Sequence, residues 1–404
     1  MKLFLLLMAI LTFSGLWYLR RARASRATSP ARHPAKPRQP APQRAARPAA
    51  TAAAVAAPVT PPTPPAPSAA PESPAPPSME DAELPELLHG FEMLDLEDLP
   101  ECEREDLLVT LAHMSLPPRA TRDLLSPAFL ADAATKEFTE LVMREPLLSA
   151  KIIGRVNSAF YGLSTPIVSV SHAITYMGLT AVRNMALQFT LEQAFASEDP
   201  DLQAFHARLF DAGAIAAELS TLFAPKLGIR DVGAASTQAV LSFLGDFAMP
   251  GLLPQKSAID HWPLGLLERT CNEQITLGVN ASIAGQLLMR AWEMPHTLSA
   301  ELRSVHRLLV EPPQESHAEN KVKIALSYAS GRVAEGIALG RIHEPGQVST
   351  ELARRPECYH LRDMMRAPPL DRLASLADGP GSRLAIARLI AASERSRAAE
   401  RAAA

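Results

Sequence analysis

Side chains able to carry covalent, metal-dependent or acid–base chemistry are few in this sequence, and they are scattered. Cys102, Cys271 and Cys358 lie far apart, are odd in number and form no CxxC. They make neither a disulfide framework nor a zinc ligand set, and they suit a reducing compartment. Asp260-His261 and the Glu301/His306 pair are acid–histidine neighbours, an arrangement more often found as solvated pairs than as a base with its orienting carboxylate. Gly331, Gly336 and Gly340 fall on a helical pattern and lack the Gly-Lys-Ser/Thr ending of a phosphate loop. Asp246, beside Gly245, could belong to a polar pocket, but a carboxylate at a helix end is the plainer reading. No His-Asp dipeptide occurs anywhere in the chain.

Whatever these residues do, they must be positioned by helices. Of the 404 residues only 5% are aromatic, while Ala and Leu abound, and no period-two alternation stands out. That composition favours helix packing over sheet packing. A formal net charge of −3 gives no global pull towards nucleic acid, so none is expected as a partner. From Pro100 onwards, amphipathic stretches are separated by short connections. Leu107, Leu108 and Leu111 share a face. Ser126-Pro127 signals a helix start, and Leu130, Ala134, Phe138, Leu141 and Val142 follow at helical spacing. Pro146 opens a helix carrying Leu148, Ile152 and Val156. Ser169 caps one that Gly178 ends, and Thr180 starts another reaching Phe195. Further helices are predicted over Phe210–Phe223, Ser236–Phe247, Val279–Trp292, Ser299–Leu309 and Ala318–Leu339. The expected fold class is all-α, one compact multi-helix domain over residues 100–378. An Ala-rich helix or tail at 379–404 is expected to dock loosely.

The N-terminal quarter differs in kind. Leu3 to Leu19 is an uncharged apolar run, long enough to cross a bilayer core at the short end of the range, with Trp17 and Tyr18 at its edge. Arg20, Arg21, Arg23 and Arg26 follow it. The excess of positive charge places the C-terminal side in the cytoplasm and makes residues 1–19 a single-pass transmembrane anchor in a bacterial inner membrane. A cleavable signal peptide with Ala22-Arg23-Ala24 as its cleavage site is the rival reading, opposed by the arginines directly after the run. Half of the 36 prolines crowd the first hundred residues, a quarter of the chain. Residues 20–99 therefore read as a disordered Ala/Pro-rich linker, first basic (Arg32, Lys36, Arg38, Arg44, Arg47) and then acidic (Glu80 to Asp98). The acidic run reads as a solvated charge stretch.

One block carries a specific likeness. Leu116-Pro117-Pro118 is followed by Glu145-Pro146-Leu147-Leu148, then by Val156-Asn157-Ser158-Ala159-Phe160-Tyr161-Gly162. Ile167-Val168-Ser169-Val170-Ser171-His172-Ala173-Ile174 comes next, leading into Met177-Gly178-Leu179 and Val182-Arg183-Asn184. In order and spacing this block, from Leu116 to about Leu187, resembles the HDOD (HD-related output domain) family. Asn157, Ser158, Phe160, Tyr161 and Gly162 form the most distinctive motif. It reads either as architecture, an Asn satisfying the end of the Pro146 helix before a glycine turn, or as an interaction surface.

The resemblance implies kinship with metal-dependent HD phosphohydrolases whose ligands have been lost. Val240-Leu241-Ser242-Phe243-Leu244-Gly245 matches the surroundings of the hydrolases' His-Asp pair, with Ser242 and Phe243 in the ligand positions. The early histidine position falls at Ala212 and a later one at Ala281, while His306 is the one histidine that could correspond to a family ligand. Metals need imidazole and carboxylate together to generate a hydroxide, so the expectation is no catalysis, no metal and no cofactor. The resemblance implies a signal-transduction output or adaptor domain at the cytoplasmic membrane face, acting on an unidentified signalling protein. The alternative is a regulator that binds a nucleotide second messenger, a small-molecule ligand, in the degenerate cleft.

Overall fold

The computed structural model describes residues 84–112, 135–143, 145–157, 163, 165–294, 296–314 and 317–403. The chain divides into two units, Met1–Pro71 and Glu72–Ala404, and every described residue belongs to the second. Residues 1–19 and most of the linker lie outside the described residues, as do Ser158, Phe160, Tyr161 and Gly162. Among the described residues there is no strand, and no helix is long and apolar enough to cross a membrane. The all-α expectation holds for the described chain.

The first helices build a small lobe. α1 (Glu101–Ala112) precedes it, and α2 (Thr135–Met143), α3 (Pro146–Val156), α4 (Val170–Met177) and α5 (Leu179–Ala194) follow. Pro146 takes the first position of α3, where its missing N–H costs nothing. Ser169 caps α4 by accepting the His172 N–H at 3.2 Å. Gly178 ends α4 and begins α5 at φ 86°, one residue before the predicted start. Phe138, Val142, Leu148, Ile152, Val156, Ile167 and Ile174 pack with Val182, Met185 and Ala186 of α5 into one apolar cluster. The opposite flank of α5, with Leu187, Leu191 and Ala194, enters a second and larger cluster.

The larger cluster is organised by two long helices, α6 (Pro200–Phe223) and α13 (Ala318–Ala338). Asp199 caps α6 by accepting the N–H groups of Asp201 and Leu202, which explains its start ahead of the predicted Phe210. Every residue of α13 from Val322 to Ala338 is buried, and its run of Ala, Ser and Gly lets neighbours approach closely. Between these helices lie α7 (Val232–Leu241), α8 (Leu244–Leu252), α9 (Gln255–His261), α10 (Leu266–Leu277), α11 (Ala281–Ala291) and α12 (His296–Arg307). α14 (Gln347–Arg354), α15 (Tyr359–Met364), α16 (Leu373–Asp378) and α17 (Pro380–Ala403) complete the chain.

Three sequence expectations change. The helix predicted over Ser236–Phe247 is two helices, because the Ser242 hydroxyl donates back to the Ala239 carbonyl at 2.7 Å and closes α7. The 379–404 segment is firmly packed, because Ile386, Leu389 and Ile390 recur at helical spacing and bury their stripe against the core. The third change concerns residues 84–99, assigned above to the linker. Leu88, Met93 and Leu99 belong to the large cluster, and Asp95 is 5% exposed. Asp95 pairs with Arg303 at 2.5 Å and Arg307 at 3.1 Å. The Leu94 N–H donates to Gln274 Oε1, and its carbonyl accepts from Asn280 Nδ2. This end of the acidic run is thus a strap over α10–α12.

Candidate functional site

Of the positions aligned with HD ligands, Ser242, Phe243 and Ala281 meet at the junction of α7 and α8. Ser242 and Phe243 form that junction, Phe243 with no exposed surface. Ala281 opens α11 after the Asn280 cap, whose Oδ1 accepts the Ile283 N–H at 3.1 Å. His306 of α12 ties the two together: its Nε2 lies 2.9 Å from the Ser242 carbonyl and its Nδ1 3.0 Å from Ser282 Oγ. A carbonyl can only accept, so Nε2 carries the proton and Nδ1 accepts from the serine hydroxyl. Ala212 is fully buried on α6, which packs against α7 nearby: a Cβ on its neighbour Gly213 would sit 3.8 Å from Val240 Cγ1.

The space between these segments is closed by backbone. A Cβ on Gly245 would fall 1.7 Å from the Ala281 carbonyl oxygen, and one on Gly285 would fall 3.1 Å from the Gly245 nitrogen. α8 and α11 therefore cross main chain to main chain, which only glycine permits. On the α13 side, a Cβ on Gly331 would meet Ser242 Oγ at 3.5 Å and Phe243 Cζ at 3.9 Å. Among the described residues no group of three or more His, Cys, Asp and Glu is placed to hold a metal.

Beside the junction sits a buried ion network that sequence reasoning missed apart from Asp246. Arg269 of α10, 2% exposed, reaches Asp246 Oδ1 at 3.2 Å and Glu335 Oε1 at 3.3 Å, and donates to the Trp262 carbonyl at 2.9 Å. Glu335 is shared with Arg332 and with Arg341. Glu273, one turn beyond Arg269, accepts the Ala281 N–H at 2.9 Å. Asp246 is thus no mere helix-end carboxylate, although it does stand in the first turn of α8. Burial pushes its carboxyl up against the pull of Arg269, and burial likewise raises Glu273 to about 7. Glu335 is also desolvated, yet Arg332, Arg269 and Arg341 together hold it below the usual carboxylate range. The two buried guanidiniums thus stand among three carboxyl groups, two of which, Asp246 and Glu273, burial pushes towards the neutral form. The Arg-x-x-x-Glu spacing of Arg269 and Glu273 was the only local signal, and it reads equally as an exposed helix face.

The histidines set a pH dependence. Burial pushes His306 and His206 down to about 4, whereas an unfolded histidine titrates near 6.5. Between those values the unfolded chain binds protons that the folded chain refuses. Their contribution is therefore complete above pH 6.5 and is lost as pH falls towards 4. Glu273 acts in the opposite sense: its contribution is complete below about 4.5 and is lost as pH rises through 7. We expect His306→Gln to shrink the stability difference between pH 6.5 and pH 5 by about 1–2 kcal/mol, read by urea denaturation. Glu273→Gln should steepen the same difference; identical profiles for all three proteins would contradict the assignment.

The Asn157 side of the motif is partly architectural. Asn157 ends α3, its Nδ2 donating to the carbonyls of Ile153 (2.9 Å) and Ile167 (2.7 Å) while its Oδ1 accepts the Ile167 N–H at 2.8 Å. It pins the segment that leads to Ser169. The Glu301/His306 neighbours are not partners: Glu301 accepts from Lys323 at 2.9 Å, and His306 is held by Ser282 and the Ser242 carbonyl.

Comparison with known proteins bears on this geometry. Residues 115–308 match the HDOD domain family. No curated protein matches the chain. Among solved structures, it is similar to a candidate phosphohydrolase from Shewanella amazonensis SB2B (19% identity, 71% of this chain and 97% of that one, TM-score 0.48). It is similar also to an HDOD domain protein of unknown function from Geobacter sulfurreducens (15% identity, 77% and 96%, TM-score 0.45). A third is a candidate signal transduction protein from Marinobacter aquaeolei VT8 (19% identity, 74% and 69%, TM-score 0.44). The matched span begins at the Leu116-Pro117-Pro118 block and ends just beyond His306, so this chain carries an HDOD domain over residues 115–308.

Proposed function

We propose that this protein is a non-catalytic output or adaptor module, tethered by residues 1–19 to the cytoplasmic face of a bacterial inner membrane and acting by binding a signalling protein. The observation that carries the binding role is the surface of the small lobe. Met143, Leu147, Val168 and Tyr176 are each more than half exposed there, Val168 at 79% and next to the Ile167 that Asn157 pins. Large apolar side chains gathered on one lobe fit a partner surface better than a solvated one. The non-catalytic reading is supported by the ligand positions: Phe243 cannot coordinate a metal, and backbone contact between Gly245 and Ala281 leaves no room between α8 and α11 at that point. The same closure argues against the nucleotide reading, since a ligand in that cleft would have to force α8 and α11 apart.

In-cell cross-linking followed by purification of the tagged full-length protein tests the reading, beside a variant lacking residues 1–26 and a Leu147→Glu/Tyr176→Glu variant. The anchored protein should capture a partner, and the double variant should lose it. Stability of the double variant should stay within about 0.5 kcal/mol, as for other exposed positions. Capture of the same partner by all three proteins would defeat both the tether and the surface. Metal-dependent phosphodiesterase turnover by the full-length chain would defeat the non-catalytic reading.

A further inference from the structure

The strap at residues 84–99 lies ahead of the HDOD span, yet it lies across three of that domain's helices, α10 to α12. It has little regular structure of its own. Two three-residue turns, Glu86–Leu88 and Leu96–Asp98, flank a bend at Gly90, whose φ is 75°. Leu88, Met93 and Leu99 are buried in the large apolar cluster, and Leu84, Phe91, Leu94 and Leu96 pack against it. The acids Glu86, Glu92, Glu97 and Asp98 stay exposed, and only Asp95 turns inward.

The domain holds this segment as a groove holds a peptide. Side-chain amides clamp its main chain: Gln274 accepts the Leu94 N–H at 2.9 Å and donates to the Glu92 carbonyl at 3.0 Å, and Asn280 donates to the Leu94 carbonyl at 3.0 Å. Arg303 and Arg307 of α12 reach the Asp95 carboxylate at 2.5 and 3.1 Å. Main-chain clamps supply affinity, while seats for alternate apolar side chains and an arginine pair for the acid supply specificity. Each of these main-chain bonds ends on a domain side chain, so the strap can leave without unwinding a helix. Its ion pairs are screened as well, because the arginine side chains are 43% and 26% exposed. Segments held in this way open independently of global unfolding.

We propose that the face formed by α10, α11 and α12 is a docking site for an extended acidic and apolar segment of a partner protein, and that the strap occupies this face as an intramolecular latch. A partner segment with a carboxylate at the place of Asp95, flanked by Leu or Met, competes for the same clamps. The strap already seated there defines the chemistry that the face accepts. The inference is independent of the small-lobe surface proposed above, because the two involve different residues.

Fluorescence anisotropy of a labelled peptide of residues 84–99, titrated with the full-length protein, tests the latch. Asp95→Lys in the protein sets a cation against Arg303 and Arg307 and frees the face. That variant should bind the peptide saturably. The wild-type chain should bind it at least about tenfold more weakly, because its own strap competes at high effective concentration. Adding Arg303→Glu and Arg307→Glu to Asp95→Lys restores the ion pairs in reverse, so peptide binding should be lost. Hydrogen exchange on the wild-type chain needs no variant: the Leu94 amide should exchange at least about tenfold faster than the amides of α13. Equal peptide binding by wild type and Asp95→Lys would overturn the proposal. So would no binding by a folded Asp95→Lys protein, undiminished binding by the triple variant, or exchange of Leu94 only at the rate of α13.

Discussion

Replacing Gly245 by alanine is expected to cost the domain more than about 3 kcal/mol, a large fraction of the whole stability of an ordinary domain. The new Cβ would lie 1.7 Å from the Ala281 carbonyl oxygen and 2.5 Å from its carbon. Both are main-chain atoms at the start of a helix, so no side-chain rotation relieves the overlap. α8 and α11 would have to separate. That would also break the hydrogen bond from the Ala281 N–H to Glu273 and disturb the two bonds of His306. Gly285→Ala is the graded companion: its Cβ would come to 3.1 Å from the Gly245 nitrogen and 3.4 Å from its Cα, which a shift of a few tenths of an ångström accommodates. Urea denaturation followed by far-UV circular dichroism should therefore rank the proteins wild type, Gly285→Ala, Gly245→Ala. A Gly245→Ala protein with the wild-type midpoint would show that the two helices do not cross in this way.

The second large effect is expected at Arg269. Changing it to methionine keeps much of the volume and removes the cation that Asp246 and Glu335 share. Two nearly inaccessible carboxylates would then face each other with only Arg332 and Arg341 left on the Glu335 side. Removing one member of a buried ionic group typically costs about 3–5 kcal/mol, because the remaining charge is stranded. The signature is in the pH dependence. Without Arg269 the Asp246 carboxyl rises further, so the variant should recover stability on acidification by taking up a proton. Asp246→Asn in the Arg269→Met background should restore some of the loss at neutral pH. Urea titrations at pH 5 and pH 8 separate these outcomes; a variant equally destabilised at both values, and unaffected by Asp246→Asn, would mean that packing alone was lost.

The features of this fold legible in the sequence were those fixed by local chemistry. Ser169, Pro146, Gly178 and the Leu148/Ile152/Val156 repeat announce their helices because capping, ring closure and apolar spacing act within a turn or two. α10 escaped detection because its inward face carries Arg269, Thr270 and Glu273 where a periodic reading looks for apolar residues. The strap at 84–99 escaped for a related reason. Asp95 resembles its acidic neighbours in sequence, and only the folded chain brings Arg303 and Arg307 to it. The candidate site divides the same way. Ser242, Phe243 and Ala281 were identifiable by alignment with a motif, and they do meet around His306. The glycine contact that closes the space depends on distances between remote segments. No local spacing encodes these.

α5 lends one flank to each apolar cluster: Val182, Met185 and Ala186 to one, Leu187, Leu191 and Ala194 to the other. Mechanically, α5 is a rod shared by both clusters. Side chains in an interior packed to crystal-like density do not compress, so a load on the small lobe is passed along that rod instead of being absorbed locally. A contact made at Val168 or Tyr176 would therefore be felt at α6 and α17 as a rotation or shift of α5. The stiffness of α5 sets how far such a displacement travels.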